Sequence, residues 1–144
     1  MSFDLKIKNG DISIGSNGDF EKVEDTEKLV QDVLKILLTP VGANPFFRWY
    51  GSSLSAAMIG NPFDTVFIAV AAESQIRNAL ETVQNLQKTQ AGSGQRVSAG
   101  ELLAAVRNVQ VVRNEIDPTY FTIAIKVLAK SLKTIPVTFE VQNL

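Results

Sequence analysis

The chain has 144 residues, 45% of them hydrophobic and 20% charged, and a formal net charge of −1. It contains no Cys and no His, which excludes disulfides, thiolate nucleophiles, Cys- or His-ligated metals, His-dependent triads and imidazole acid–base catalysis. A single domain with its own core is expected over residues 1–144, and the near-neutral charge gives no support for nucleic-acid binding.

The opening Met1-Ser2-Phe3-Asp4-Leu5-Lys6 alternates polar and apolar residues and does not read as a signal peptide. The apolar run over residues 65–72 is too short to span a bilayer, so no membrane association is expected. On these grounds alone the default compartment is the cytoplasm. Charge is uneven. Residues 1–32 carry eight acids and four bases, and residues 33–119 six acids and seven bases. Residues 120–144 hold Lys126, Lys130 and Lys133 against Glu140. Solvated faces account for this pattern; the sharper reading is that the two chain ends meet differently charged neighbours.

In chain order, residues 3–8 alternate, with Phe3, Leu5 and Ile7 on one side. Asn9-Gly10 supplies a tight two-residue turn, Ile12 and Ile14 continue the alternation, and Ser16-Asn17-Gly18-Asp19 supplies a second turn before Phe20 and Val23. The two Asn-Gly-Asp triplets lack the acidic spacing and closing Glu of a calcium loop, so turn chemistry explains them and no metal is expected. Asp25 or Thr26 is expected to cap a helix running to about Leu38, with Glu27 in its first turn. Leu29, Val33, Ile36 and Leu37, flanked by Val30 and Leu34, form its apolar stripe. Lys28, Gln31, Asp32 and Lys35 form its wetter face. Pro40 and Gly42 end it.

Residues 46–50 read Phe-Phe-Arg-Trp-Tyr, four aromatics around Arg48. Phe46, Phe47, Trp49 and Tyr50 either plug the domain's own core or anchor a partner. Asn61-Pro62 then opens a long helix from about Phe63 or Asp64 to near Gln90. Its first half, apolar on every side over residues 66–72, reads as a core helix. Residues 88–96 read as a flexible loop. Ser98-Ala99-Gly100-Glu101 has capping-box spacing, so a short helix is expected over residues 99–107. Three strands follow, over residues 109–114, 120–129 and about 134–142. Pro136 cannot donate to a ladder, which makes the last strand an edge. Strands, helices, then strands give an α+β fold: a mainly antiparallel sheet from N-terminal hairpins and C-terminal strands, packed on two main helices.

No nucleophile–base pair is legible. Ser52 and Ser53 lack the setting of a nucleophile elbow, and Gly92-Ser93-Gly94 lacks the Lys-Ser/Thr of a phosphate-binding loop. Carboxylate chemistry is the catalytic class left open, and Glu21, Glu24, Asp25 and Glu27 cluster near the first helix start, where the helix dipole favours acids anyway. No enzyme activity and no cofactor are expected.

The succession Gly10-Asp11-Ile12, Gly18-Asp19-Phe20, Glu27-Lys28-Leu29-Val30-Gln31-Asp32, Leu37-Leu38-Thr39, Gly42 and Trp49-Tyr50-Gly51-Ser52-Ser53-Leu54 resembles the baseplate wedge, or sheath-initiator, family of contractile-tailed phages. Related proteins occur in contractile injection machines and type VI secretion baseplates. The resemblance covers nearly the whole chain and is most specific over residues 31–54. It departs after the first helix, where members often carry an acid and an Arg; here the stretch is Thr39-Pro40-Val41-Gly42-Ala43-Asn44, with Arg48 the nearest base. The resemblance implies a structural virion protein of the tail baseplate, assembled in the host cytoplasm. It implies partners in the tail sheath and other wedge proteins, with the tube or hub as further contacts, and six copies per baseplate. Sheath arms would add as strands to its sheet. Partner-binding candidates are therefore Phe46, Phe47, Arg48, Trp49 and Tyr50 in the loop, and Pro136, Thr138 and Glu140 on the last strand. Two rivals stand beside this reading: a lysozyme-like glycoside hydrolase of the baseplate, and a host regulatory binding module of the same fold.

Overall fold

The structure is a computed structural model and describes residues 2–58 and 65–142. Its N-terminal meander contains β1 (Phe3–Leu5), β2 (Ile7–Lys8), β3 (Asp11–Ile12) and β4 (Lys22–Glu24). β1 pairs with β4 and β2 with β3, all antiparallel. Both turns take the expected form. Asn9 and Gly10 have φ of 53° and 79°, the left-handed pair that a tight hairpin requires. At the second turn Asn17 Oδ1 accepts from Asp19 N–H (3.2 Å).

Helix α1 (Asp25–Leu38) follows, then the short α2 (Leu54–Met58) and the long α3 (Thr65–Gly92). The chain closes with β5 (Leu103–Arg113), β6 (Tyr120–Ala129) and β7 (Thr134–Gln142), an antiparallel sheet in that order. The fold is α+β. The meander's ladders stay separate from this sheet. α1 packs over β7 and α3 over β5. Leu29, Val33 and Ile36 of α1, Ile68, Ile76 and Leu80 of α3, and Phe121, Ile123, Ile125 and Val127 of β6 meet in one buried core. Each such side chain contributes roughly 1.5–3 kcal/mol by leaving water.

Several expectations are corrected. Residues 99–107 are not helical: β5 already runs from Leu103. Glu101 makes the backbone half of the capping box, accepting from Ser98 N–H (3.1 Å), but Ser98 Oγ donates instead to Asp25 Oδ1 (2.6 Å). Gly100 lies so close to Asp25 that a Cβ there would collide with its carboxylate. These tertiary contacts hold the segment as a turn and release the Leu-Ala-rich stretch to pair with β6. Asp25, at φ 53°, is not the N-cap expected: its carboxylate accepts from Ser98 and, more weakly, from Thr26 Oγ1 (3.5 Å), and the N-cap is Glu24, without a side-chain cap bond. Lys28 is buried rather than wet, with its amine on Asp32 (2.9 Å). Residues 88–92 belong to α3 rather than to a loop. The expected start of that helix lies outside the described residues. Its apolar first half is not enclosed: Ile68 and Ala72 are buried, whereas Val66, Phe67 and Val70 are exposed.

Two hydrogen bonds set the parity of the sheet. Asn114 N–H donates to Tyr120 O (2.9 Å), and Ala129 N–H donates to Lys133 O (3.0 Å). In an antiparallel ladder, bonded and non-bonded pairs alternate, so even-numbered β6 residues bond to β5 and odd-numbered ones to β7. Pro136, Thr138 and Glu140 stand opposite Lys126, Ala124 and Thr122. Their outward backbone groups therefore point away from β6, and Pro136 occupies a position where no donor is needed.

Candidate docking surface

β7 is an edge of its sheet. Ile135, Val137, Phe139 and Val141 point into the core, while Thr138 and Glu140 are exposed. Helical spacing divides α1 into flanks. Lys28, Asp32 and Lys35 line a cleft of about 300 Å³ shared with α3. On the opposite flank Val30 and Leu34 line a groove of about 310 Å³ with Ile7 and Val23 of the meander. Gln31 ties the meander to α1, donating to Leu5 O (2.8 Å) and accepting from Ile7 N–H (2.9 Å). Because α1 lies over β7 with α3 on its other side, the Val30–Leu34 flank lies beyond the open edge. Sequence reasoning missed this pair as a surface, although a stripe wider than the buried set was its signal.

The aromatic loop sits on the other flank. Its base is clamped: Ser52 N–H donates to Thr39 O (2.8 Å), Val41 N–H to Ser52 O (3.2 Å), and Ser52 Oγ to Leu37 O (2.7 Å). Ser52 is thus a structural serine. Within the loop, Asn44 Oδ1 accepts from Phe46 and Phe47 N–H (3.0 and 3.3 Å). Phe46 is 87% exposed and Trp49 55%; Phe47 and Arg48 are also exposed, and Tyr50 is half-buried against the core. Phe47 and Tyr50 each meet the Trp49 ring edge-on, at 5.9 and 6.3 Å. Phe47, Trp49, Tyr50, Lys35 and Leu86 border a cavity of about 370 Å³. The structure therefore brings Phe47, Trp49 and Tyr50 together, while Phe46 and Arg48 stay exposed beside them; the loop lies on the other flank of α1 from Pro136, Thr138 and Glu140.

The acids near the start of α1 do not converge on a cleft. Glu21 pairs with Lys6 (3.5 Å), Asp25 is held by Ser98, and Glu24 and Glu27 face solvent. A different pair, Asp4 and Asp32, shares the α1–α3 cleft. Lys35 pairs with both, and Lys28 also holds Asp32. Burial pushes the Asp4 carboxyl up, but the hydrogen bond and charge of Lys35 outweigh it, so the group is held below its ordinary value of 3.8. Burial raises the Tyr50 phenol, partly offset by Lys35.

A depressed Asp4 favours folding above its ordinary pKa, and that contribution is lost as pH falls below it. Lys35→Met is expected to lower neutral-pH stability by about 1 kcal/mol or less, since the pair is partly solvated. Thermal melts at stepped pH should show the gap to wild type narrowing below about pH 4. A gap that widens there would contradict the pairing.

The chain matches no family model and no curated protein. Among solved structures it is similar to one solved as a putative tail lysozyme from Geobacter sulfurreducens, with a TM-score of 0.61 and 13% identity over 82% of this chain and 90% of that one. The two chains share a fold. Among the described residues no helix is long and apolar enough to cross a membrane.

Proposed function

We propose that this chain is a non-enzymatic structural component of a contractile phage tail baseplate, bridging wedge proteins and the first sheath ring. The observation that carries the proposal is the β7 edge. It is exposed at Thr138 and Glu140, and α1, which carries Val30 and Leu34 on the flank away from α3, packs over it. An extended sheath segment laid along β7 gains backbone hydrogen bonds from the edge and a place for its inward apolar side chains, which is strand addition. The fold shared with a tail protein and the sequence resemblance to sheath initiators support the same reading. Six copies per baseplate follow from the symmetry of such tails, and the exposed rings of the aromatic loop serve the wedge contact.

The shared fold also raises glycan hydrolysis, because the Geobacter chain was solved as a putative tail lysozyme. Against that reading, a glycosidase needs one carboxyl kept protonated as general acid. Asp4 is pushed the opposite way, and lysines hold both acids of the cleft.

Trp49→Ala separates docking from folding. An exposed ring contributes little to stability, about 0.5 kcal/mol. A ring at the centre of an interface contributes about 2 kcal/mol, roughly a thirtyfold loss of affinity when removed. The variant is expected to melt with wild type and to be poorly retained in purified baseplates, and those baseplates should form little sheath. An unfolded variant would mean that the cluster is internal; normal retention would remove the loop from the interface.

A further inference from the structure

The two ends of β5 differ in charge and in relief. At the far end, the turn into β6 is locked by its own side chains. Asn114 Oδ1 accepts from Ile116 N–H (2.8 Å) and Asp117 N–H (3.1 Å), and Asp117 Oδ1 accepts from the Thr119 N–H (3.0 Å) and hydroxyl (2.6 Å). The locked turn holds Ile116 out as a peg. At 96% it is the most exposed large hydrophobic residue among those described. Glu115 and Asp117 flank it, one acid on each side.

At the near end, a cavity of about 330 Å³ lies between α3, the start of β5 and Lys130. Ala91, Leu102, Leu103 and Ala104 give it apolar walls, and the two charged residues that line it are lysines, Lys88 and Lys130. Hydrogen bonds fix these walls. Leu103 N–H donates to Gln87 Oε1 (2.7 Å), Gln87 Nε2 to Glu101 O (2.9 Å), and Gln84 Nε2 to Ala104 O (2.8 Å). The glutamines occupy backbone groups that an added strand would need, so the cavity is shaped for a projecting side chain and not for an extended segment.

Peg and cavity are alike in polarity and opposite in charge. One presents a branched apolar side chain between two carboxylates, the other an apolar hollow with two ammonium groups. Among the described residues, none of Glu115, Asp117, Lys88 and Lys130 has an ion-pair partner. The two features stand at opposite ends of an 11-residue strand, about 30 Å apart. One molecule therefore cannot fill its own cavity, whereas a second copy carries the complementary peg.

We propose that Ile116 of one copy seats in this cavity of the next, with Glu115 and Asp117 against Lys88 and Lys130. The contact is heterologous, so every copy added leaves a peg and a cavity for further copies. Because both parts are held in shape beforehand, little freedom is lost on docking. The contact is small, and a Kd of about 1 mM is expected between free chains. It uses neither β7 nor the aromatic loop and goes beyond the reading above.

Two variants divide the contact. Ile116→Asp removes the peg and keeps the cavity; Lys88→Glu combined with Lys130→Glu reverses the cavity and keeps the peg. All three positions are exposed, so both variants should melt with wild type. The wild-type sedimentation coefficient should rise with concentration up to about 2 mM, and that of each variant alone should stay that of a monomer. Mixed, the two variants should form a dimer that grows no further, since one working peg meets one working cavity. In amide-resolved NMR of the mixture, Leu103 and Ala104 should shift in the Ile116→Asp chain, and Ile116 and Thr119 in the other. Salt raised from about 0.05 to about 0.5 M should weaken the dimer several-fold. The proposal is overturned if wild type stays monomeric, if Ile116→Asp self-associates as wild type does, or if the mixture does not dimerise. Association with shifts confined to β7 or to residues 46–50 would place the self-contact elsewhere and also overturn it.

Discussion

Gly51→Ala is expected to lower stability by about 2–4 kcal/mol, a Tm drop of roughly 10 °C for a chain of this size. Gly51 closes the base of the aromatic loop at φ 124°, and a Cβ there would lie 2.5 Å from Thr39 O and 3.0 Å from the Pro40 carbonyl. These are backbone atoms, so no side chain can rotate aside. The strand-like bridge between Pro40 and Ser52 would have to open, taking with it the Ser52 bonds to Leu37 and Thr39. Gly42→Ala is the matched control. Gly42 is also left-handed, at φ 89°, but a Cβ there meets nothing within 4 Å, so the cost is confined to backbone strain, about 1 kcal/mol. Calorimetry on both variants checks the comparison, and equal losses would mean that the loop base is not clamped as described. Because the rings of the loop themselves are exposed, Gly51→Ala should also cost wedge retention, which Gly42→Ala should preserve.

Thr138→Pro is expected to leave the protein folded, with a loss below about 1 kcal/mol, yet to stop sheath polymerisation on baseplates. The parity of the ladder points its N–H away from β6, and Pro136, two residues earlier with the same orientation, already meets the backbone demands of proline. Val137→Pro is the contrast. Val137 is buried and stands in a bonded pair with Ile125. Losing that ladder bond and its packing should cost about 4 kcal/mol or more. Chemical denaturation ranks the two variants, and electron microscopy of tails scores sheath. Normal sheath on a well-folded Thr138→Pro protein would remove β7 from the sheath contact.

Elements with a local period were legible in the sequence. α1 announced itself by its stripe, and β6 and β7 by strict alternation; their bounds came out as read, because nothing distant competes with the pattern. β5 was legible only in its second half. Its first residues, Leu103-Ala104-Ala105, carry helical propensity behind a capping box, and what decides against a helix is Asp25, far away in sequence, taking the Ser98 hydroxyl. α3 failed in the opposite sense. A helix apolar on all sides reads as enclosed, but enclosure depends on how many neighbours the fold supplies, and Val66 and Val70 stay largely exposed, at 75% and 65%. The docking candidates divide in the same way. Pro136 marked an edge from sequence because a missing donor is a local fact. Which backbone groups face outward, and which flank of α1 overhangs them, depends on register and layer order, and those exist only once the sheet is assembled.

The proposed function requires that β7 receive a strand of the sheath protein. A density map of the assembled baseplate with its first sheath ring tests it most directly. An additional strand is expected alongside β7, within backbone hydrogen-bonding distance of Thr138 and Glu140, with its inward side chains against Val30 and Leu34. A β7 edge left in solvent, with the sheath contacting this chain elsewhere or not at all, would contradict it.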